Sequence, residues 1–409
     1  MLKELFTLGD LYVSDFISDG ESPRAGKFEM KLMFDEETKC VRLEKMVPTE
    51  AMFGKYWYRS GTNLTMKKEL KNIVESILDV KKLTDNDIWI DIACNDGTLL
   101  SNVPKNIVRV GIDPVDNSFK QESQQHANLI IQDFFNKDSY EKSIYGGKKA
   151  SVITTIAMFY DLDKPEVFLN DIHSVLDDNG LFVLQMSYTP LMIEQMAFDN
   201  ICHEHVYYYS LYNINELLKK CGFKVIDCQL NDTNGGSFRI YIMKENSDVT
   251  TFSTQPYRDV CNFRVNSLLE YEEKTKVNTP EIWNIFYKRM ETLKNDLITF
   301  IKDEKSKGKK IWGYGASTKG NTLLQYFGLD NTLIDGIAER SPYKFGKKTI
   351  GTNIPVTSEE DMREANPDYL LVLPWHFINE FVSREKEFLD KGGKFIVPCP
   401  KFEIIGSKN

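Results

Sequence analysis

The chain has 409 residues, of which 42% are hydrophobic and 27% are charged, and its formal net charge is −9 at pH 7. This length exceeds one ordinary core and predicts two or three domains, and the composition excludes a disordered or fibrous protein. The acidic balance argues against nucleic acid as a partner, because proteins that bind the phosphate backbone generally present a basic surface.

Two features of the chain favour a cytoplasmic protein. The first residues, "MLKELFTLGDLYVSDF", show no signal-peptide pattern, and no later run contains the roughly 18 apolar residues that a membrane span needs. The seven cysteines are scattered and form no CxxC pair, which predicts free thiols in a reducing compartment. Their spacing also lacks the usual structural zinc signature, so we expect no bound metal.

In chain order, residues 1–75 are predicted to form a small irregular module that leads into a helix, "KKELKNIVESILDV". Over residues 76–248, apolar runs such as "IWIDIA", "VRVGID" and "ASVITTIAMF" alternate with helical segments, which predicts a mostly parallel sheet covered on both faces. Apolar residues at three- and four-residue spacing predict a helical connector over 249–307. A second series of strands and helices, starting at "KIWGYGA", predicts another α/β unit over 308–409.

The first strand of the larger α/β unit runs into a tight turn, "IDIACNDGTLL". Asp91 ends this strand, Asn95, Asp96 and Gly97 lie in the turn, and Asp113 ends the next strand. In doubly wound folds a ligand binds beyond the carboxyl ends of the strands, and an acidic residue binds the ribose hydroxyls. The pattern therefore predicts a nucleotide-type cofactor site.

The charges of the turn indicate which cofactor this site binds. A pyrophosphate group favours glycines and exposed N–H groups, and the aspartates of this turn would repel it. S-adenosylmethionine (SAM) carries a sulfonium and an ammonium group and no phosphate, so the carboxylates suit it better than NAD. Asp133 follows the third strand and is expected at the adenine, with Phe134 against the ring. The alternative is that these are ordinary turn and cap aspartates.

The segment "ICHEHVYYYS", residues 201–210, contains two of the five histidines of the chain. The spacing of His203 and His205 does not match the i, i+4 pair of a metalloprotease helix, and further ligands are distant in sequence. The remaining alternatives are that these residues form the wall of a half-buried segment, or that His205 is a general base oriented by Glu204 or His203. Methyl transfer to carbon requires such a base, because the carbon next to a carbonyl must first lose a proton.

A second glycine-containing turn, "KIWGYGASTKGN", carries no carboxylate. Gly313 and Gly315 lie in the turn, and a helix is predicted to begin near Thr318, with Lys319 in its first turn. Exposed N–H groups, a helix N-terminus and a lysine could bind a pyrophosphate. Taken alone, this turn favours an NAD site and an oxidoreductase, with Glu339 at the end of the next strand; it could also belong to a domain that serves only as a lid.

Over nearly its whole length the chain resembles the sugar C-methyltransferases that act on nucleotide-linked 4-keto-6-deoxy sugars. The motifs that carry the resemblance are "LGDLYVSDF", "YWYRSGTN", "IACNDGTLL", "FDNICHEHVYYYSL", "NGGSFRIYI", "GYGASTKGNTLLQYFG", "SPYKFGKKTIGTNIPV", "PDYLLVLPWHF" and "GGKFIVPCP". The resemblance implies an α/β fold class: a class I methyltransferase Rossmann-like domain, a second C-terminal Rossmann-like α/β domain and a small N-terminal module. It also implies a SAM cofactor and a nucleotide-sugar substrate.

By position, the resemblance implies that His205 removes the sugar C-3 proton, with Glu204 as its pair, His203 beside them and an N-terminal tyrosine at Tyr58 or Tyr56. The cofactor-binding residues are then expected to be Asp91, Ala93, Asn95, Asp96, Gly97, Asp113, Asp133, Phe134 and Ala157. The resemblance places the diphosphate near the C-terminal domain, where Lys344 and Lys347 could complement its charge. The substrate-binding residues are expected to be Asn234, Arg239, Gly315, Ser317, Lys319 and Asn321.

The chain departs from the family pattern at two places. Family members carry a tyrosine before the HEH triplet, where this chain has Cys202, so the role of that hydroxyl is lost or moves to Tyr207 or Tyr208. Relatives also carry an N-terminal zinc module with two cysteine pairs, of which this chain retains Cys40 alone. We therefore expect a degenerate module held by packing, without zinc.

The sequence thus predicts a SAM-dependent C-methyltransferase of a nucleotide-linked keto-deoxy sugar, a small-molecule enzyme with no nucleic acid or membrane partner and plausibly a monomer. Three alternatives stay open. The methyl group could go to an oxygen or nitrogen of a sugar or small metabolite, the enzyme could be an NAD-dependent oxidoreductase, or the chain could bind a ligand with a decayed catalytic site.

Overall fold

The computed structural model describes residues 1–48, 52 and 57–407. The N-terminal module contains four strands: β1 (Leu2–Tyr12), β2 (Phe16–Ile17), β3 (Lys27–Asp35) and β4 (Val41–Leu43). β1, β3 and β4 form an antiparallel sheet. The module is therefore more regular than the sequence pattern indicated. Charged residues lie on the outer face of β3, between apolar residues that face the core. In the sequence this strand therefore looks like several short apolar runs.

The second unit is a seven-stranded sheet in the order β11-β12-β9-β8-β5-β6-β7. Its strands are β5 (Ile88–Ile92), β6 (Val108–Ile112), β7 (Leu129–Ile131), β8 (Ala150–Ile156), β9 (Leu176–Ser187), β11 (Phe223–Asn231) and β12 (Ser237–Lys244). The neighbouring strands from β7 to β9 pair in parallel, and β12 runs antiparallel to both β9 and β11. The sheet is thus a doubly wound Rossmann-like sheet with one antiparallel hairpin, as the sequence predicted.

Helices connect and cover these strands. They are α1 (Leu64–Val80), α2 (Asn117–Ser123), α3 (Lys137–Glu141), α4 (Pro165–Val175), α5 (Thr189–Glu194) and α6 (Leu211–Lys220). The predicted connector consists of two long helices, α7 (Gln255–Thr275) and α8 (Pro280–Ser306), each of which begins with a proline in its first turn. Because β5 is buried along its whole length, the strand ends next to it lie inside the protein rather than at its surface.

The C-terminal unit is a six-stranded sheet in the order β16-β14-β13-β17-β18-β19. Its strands are β13 (Ile311–Tyr314), β14 (Gly336–Glu339), β16 (Val356–Ser358), β17 (Tyr369–Val372), β18 (Lys394–Val397) and β19 (Glu403–Ile405), and a short strand, β15 (Lys348–Thr349), lies outside this sheet. The helices are α9 (Thr318–Phe327), α10 (Glu359–Ala365), α11 (Ile378–Arg384) and α12 (Lys386–Asp390). All strand pairs except β18–β19 are parallel, which confirms a second α/β domain.

The N-terminal module joins the two α/β domains. A short strand of the methyltransferase-like unit, β10 (Tyr207–Tyr208), pairs with β4 and completes the N-terminal sheet. On the other side β2 pairs with β15, and the side-chain amide of Gln325 in α9 exchanges two hydrogen bonds with the backbone of Tyr12, of 2.8 and 3.1 Å. The module therefore fixes how the two sheets face each other.

Within the described ranges, no helix has the length and apolar character to cross a membrane. In the same part of the chain, no three histidine, cysteine, aspartate or glutamate side chains come together as a set that could bind a metal ion. Cys40 is buried in the N-terminal module with its thiol against the backbone oxygens of Val41 and Tyr208, and burial raises its pKa to about 12. The cytoplasmic location and the absence of zinc stay predictions.

Candidate active site

A cavity of about 490 Å³ lies at the carboxyl ends of β5, β6 and β8 and extends to the N-terminus of α9. It is within the size range of small-molecule sites. The predicted residues that line it are Tyr58, Asp91, Ala93, Asn95, Asp113, Phe134, Ala157, Glu204, His205, Asn234 and Lys319. Glu204 and His205 thus share one cavity with the first turn of the nucleotide-type fold, although the two segments are far apart in sequence.

The turn after β5 has an unusual backbone. Ala93, Asn95 and Gly97 have φ values of +58°, +52° and +80°, and Ala157, which follows β8, has a φ of +54°. Left-handed conformations cost a residue other than glycine roughly 1–2 kcal/mol, and they persist where the surroundings impose them. Three of these four residues line the cavity, so the strained backbone shapes its wall.

Gly97 lies just behind that wall and has no room for a side chain. A Cβ atom there would lie 2.8 Å from the Cα of Ser123, whereas one on Gly147, at a similar φ of +78°, would contact nothing within 4 Å. We expect Gly147→Ala to lower the free energy of unfolding by roughly 1–2 kcal/mol. Gly97→Ala is expected to cost more and to weaken SAM binding, measured by chemical denaturation and titration calorimetry. An equal loss of unfolding free energy in the two variants would contradict the role of close packing at Gly97.

Two buried carboxyl groups face each other across the cofactor half of the cavity. Burial raises the pKa of Asp91 to about 7, and the nearby Asp113 adds to this, while a 2.7 Å hydrogen bond from Thr154 Oγ1 opposes it. Burial raises the pKa of Asp113 to about 6, against hydrogen bonds of 2.8 and 3.1 Å from the backbone N–H groups of Asn95 and Val115. A bound cation would stabilise both ionised forms, so this pair fits the sulfonium and ammonium charges of SAM.

Two of the predicted cofactor residues bind a loop of the chain itself, and of the two only Asn95 also lines the cavity. Asp96 accepts a 2.6 Å hydrogen bond from the Gly61 N–H and lies outside the cavity, and Asn95 accepts from the Ser60 N–H and donates to the Tyr58 carbonyl. These bonds hold the loop before α1 over the turn. The Tyr58 hydroxyl is directed into the protein and has no hydrogen-bond partner among the described residues, and burial raises its pKa. Tyr56, the competing tyrosine, lies outside the described residues.

Of the two residues expected at the adenine, only Phe134 lines the cavity. Phe134 lines the cavity with 43% of its surface exposed, in the position expected for a side chain that covers a ring. Asp133 is exposed, and its carboxylate accepts a 2.8 Å hydrogen bond from the Phe134 N–H instead of facing the cavity. The placement of Asp133 at the adenine is therefore not supported, because the carboxylate bonds the chain's own turn.

His205 also lines the cavity. The side chain is 6% exposed, and its ring packs against the Tyr160 ring with centroids 4.0 Å apart. Burial lowers the pKa of His205 well below its ordinary value, and the Lys319 ammonium lowers it further. The imidazole is therefore neutral at pH 7 and can accept a proton, which is the state that a general base needs.

The N-terminal sheet holds the loop that carries His205. The Leu43 N–H donates a 2.9 Å hydrogen bond to the Val206 carbonyl, directly after His205. His203 does not line the cavity; its Nε2 lies 3.3 Å from the Phe28 carbonyl of β3, and the residue is 2% exposed. His203 therefore anchors the loop to the module. The neighbouring Cys202 lines the cavity as a buried thiol, whose pKa burial raises.

The second α/β domain contributes one cation to the cavity. The Lys319 Nζ donates a 2.5 Å hydrogen bond to the Asn200 side-chain oxygen. Burial raises the pKa values of Asp161 and Asp199 and the Lys319 ammonium opposes this rise, whereas burial and Lys319 both lower the pKa of His205. Asp161, which the sequence analysis missed, lies in the short helical turn after β8 and lines the cavity next to Glu204. An aspartate about one turn after the end of β8 was the signal available in the sequence.

The second glycine-containing turn is not an open phosphate site. Ser317 Oγ accepts a 3.0 Å hydrogen bond from the Gly320 N–H and caps α9, and a Cβ on Gly315 would lie 2.7 Å from Pro374. Asn321 donates to the Asp15 carbonyl of the N-terminal module. These three residues do not line the cavity: Gly315 lies against Pro374, Ser317 caps α9 and Asn321 binds the N-terminal module. Their substrate-binding roles are therefore not supported.

Two other basic residues predicted on the substrate side are occupied by the protein itself. Arg239 is 3% exposed in a polar network with Glu69, Asn72 and Gln185, away from the cavity. Lys344 is 7% exposed and binds the Ala316 carbonyl and the Glu339 carboxylate. This ion pair also occupies the acidic residue that an NAD ribose would need, so the structure gives the oxidoreductase alternative no support.

Known proteins resemble both halves of the chain. Residues 63–227 match a family model described as a methyltransferase domain, and residues 232–400 match the C-methyltransferase C-terminal domain. The C-methyltransferase NovU of Streptomyces niveus is 26% identical, with 97% of this chain and 95% of that protein covered. The carboxy-S-adenosyl-L-methionine synthase of Nautilia profundicola is 26% identical over 51% of this chain and 94% of its own length.

Among solved structures, a magnesium protoporphyrin IX methyltransferase from Synechocystis with bound SAM is 11% identical, covers 44% of this chain and 79% of its own, and has a TM-score of 0.32. The sheet topology and the family matches define this chain as a SAM-dependent methyltransferase. More narrowly, it is a SAM-dependent C-methyltransferase, because a methyltransferase domain is followed by the C-terminal domain of that group along nearly the whole chain.

Proposed function

We propose that this enzyme transfers the methyl group of SAM to a carbon next to the ketone of a nucleotide-linked keto-deoxy sugar, with His205 as the base. The observation that carries the proposal is the position of His205: a buried, neutral imidazole in the same cavity as Asp91 and Asp113. A transfer to oxygen or nitrogen has less need of a buried base, because those atoms already carry a lone pair.

The cofactor half of the cavity would hold SAM through Asp91, Asp113, the turn at Ala93 and the ring of Phe134. When bound, SAM supplies a positively charged sulfonium whose methyl group is electrophilic. The neutral His205 removes the proton next to the ketone and leaves an enolate whose carbon attacks that methyl group. Its burial beneath the Tyr160 ring keeps bulk water from competing for the proton.

The substrate half of the cavity suits a hydroxylated ring. In this proposal the substrate half is the part lined by Glu204, Asp161, Asn234, Ser237 and Lys319, which offer both hydrogen-bond donors and acceptors. In this proposal residues 76–248 bind SAM, and the domain of residues 308–409 lies on the nucleotide side and contributes Lys319. Residues other than Gly315 and Ser317, which do not line the cavity, then contact the diphosphate.

The proposal is tested with SAM labelled with ¹³C in the methyl group and a panel of dTDP-, GDP- and CDP-4-keto-6-deoxy sugars. The expected product shows the labelled methyl coupled to a ring carbon next to the carbonyl by nuclear magnetic resonance. A labelled methyl on oxygen or nitrogen would contradict the carbon acceptor. No transfer to any of these sugars, despite SAM binding, would contradict the sugar substrate.

A further inference from the structure

One carboxyl oxygen of Asp161 takes no part in the hydrogen bonds that hold the described fold together. The residue ends the helical turn Phe159–Asp161 after β8, and it lines the cavity. Its Oδ1 is buried and has no hydrogen-bond partner among the described residues. A buried polar atom left unpaired costs about 1–3 kcal/mol, so a position that retains one in a ligand cavity is expected to meet its partner on the ligand.

The neighbours of Asp161 define what that partner can be. Glu204 also lines the cavity, and its Oε2 is a second buried oxygen without a partner in the part of the chain described. Lys319 is close enough to act on Asp161, but its ammonium donates to Asn200. Asp161 therefore lies close to a second carboxyl group in the cavity that His205 also lines, and no direct ion pair neutralises it among the described residues.

This environment determines the form in which Asp161 is present. Burial raises its pKa well above the ordinary value, and the charge of Glu204 raises it further, while Lys319 opposes the shift. A carboxylic acid kept neutral in an enzyme site can donate a hydrogen bond to an oxygen that becomes negative, as ketosteroid isomerase shows. An ionised aspartate in the same place would repel that oxygen.

We propose that Asp161 is a catalytic acid that donates a hydrogen bond to the ketone oxygen of the substrate while His205 removes the proton from the adjacent carbon. This assignment rests on the function proposed above. Ala157 and Asp161 both follow the end of β8, so the cofactor wall and the acid come from one segment of the chain. Glu204 accepts from a neighbouring hydroxyl of the substrate.

The step balances with these groups. His205 takes the proton as the C–H bond breaks, and the electron pair forms the enolate, whose oxygen is held by the Asp161 O–H. The enolate carbon then forms the new C–C bond while the carbon–sulfur bond of SAM breaks, and the sulfur retains that electron pair as neutral S-adenosylhomocysteine. The ketone is restored, Asp161 keeps its proton, and the imidazolium releases one proton to solvent.

Infrared spectroscopy tests the protonated state without any substrate. Wild-type protein at neutral pH is expected to show a protonated-carboxyl stretch that shifts in D₂O and is lost in Asp161→Asn. The matched control, Asp138→Asn, alters an exposed aspartate in α3 and is expected to retain the band. A wild-type spectrum without any band that Asp161→Asn removes would overturn the proposal.

Solvent deuterium exchange into the same sugar panel tests the catalytic role. Asp161→Leu removes the donor and is expected to slow exchange by on the order of 100-fold to 1,000-fold. Asp161→Asn keeps an N–H donor, retains more activity than Asp161→Leu, and should lose the decline at high pH that the wild type shows when its acid ionises. If the wild type exchanges and Asp161→Asn shows the same pH profile, the role of Asp161 is overturned while the proposed function stands. If the wild type shows no exchange, the proposed function itself is contradicted.

Discussion

Replacing His205 with asparagine is expected to slow methyl transfer by on the order of 100-fold to 10,000-fold, the range that general-base catalysis contributes. Asparagine can fill much of the imidazole volume but cannot accept the proton. Because Asp91 and Asp113, and not His205, carry the charges proposed to bind SAM, the affinity for SAM should change little. Steady-state rates and calorimetric titration of SAM measure the two effects separately.

The matched control for this variant is His126→Asn, which alters a histidine outside the cavity. It should retain the wild-type rate and the wild-type Tm. If His205→Asn kept most of its activity while remaining folded, the base would lie elsewhere, and a nitrogen or oxygen acceptor would account better for the reaction.

Replacing Asp91 with asparagine is expected to weaken SAM binding by about 1.5–3 kcal/mol, which is on the order of 10-fold to 150-fold. The variant keeps the acceptor for Thr154 Oγ1 and removes the negative charge that would face the cationic cofactor. Isothermal titration calorimetry measures the change, with Asp138→Asn as the control for a lost surface charge. Unchanged affinity in Asp91→Asn would contradict the electrostatic account of cofactor binding.

The same carboxyl groups predict how SAM binding depends on pH. Their pKa values of about 7 for Asp91 and about 6 for Asp113 lie above those of an unfolded chain, so the free enzyme binds protons there that SAM must displace. SAM affinity should therefore fall as the pH is lowered through 7 and 6, with proton release on binding. The raised values also mean that these groups make the free protein less stable as pH rises from about 4 to 7. The Tm increase given by SAM should accordingly be larger at pH 8 than at pH 5.5.

The sequence was sufficient for the fold because its signals are local and repeated. Short apolar runs alternating with helical segments require a parallel sheet with crossovers, and both α/β domains follow that pattern. The turn from Asp91 to Gly97 was located for the same reason, since a strand, a small-residue turn and a helix are adjacent in the chain. The N-terminal strands were missed because charged, partly or fully exposed positions interrupt their apolar ones.

The site was predictable only where its residues follow strand ends. Asp96 was assigned to the cofactor, but its carboxylate holds Gly61 because a loop far upstream folds back onto the turn. In the sequence Ser317 and Gly315 resembled a phosphate site, but in the structure Ser317 caps α9 and Gly315 lies against Pro374. Asp161 was missed because its significance depends on Glu204 and His205, which approach it through the loop that β10 fixes to the N-terminal sheet.

The central claim is that His205 removes a proton from carbon before the methyl group is transferred. Solvent deuterium exchange into the 4-keto-6-deoxy sugar panel, with S-adenosylhomocysteine in place of SAM so that no methyl transfer competes, measures that step directly. We predict exchange at the carbon next to the ketone in the wild type and its loss in His205→Asn. Exchange that persists in His205→Asn would contradict the claim. So would methylated product from a sugar in which no carbon exchanges its hydrogen with solvent.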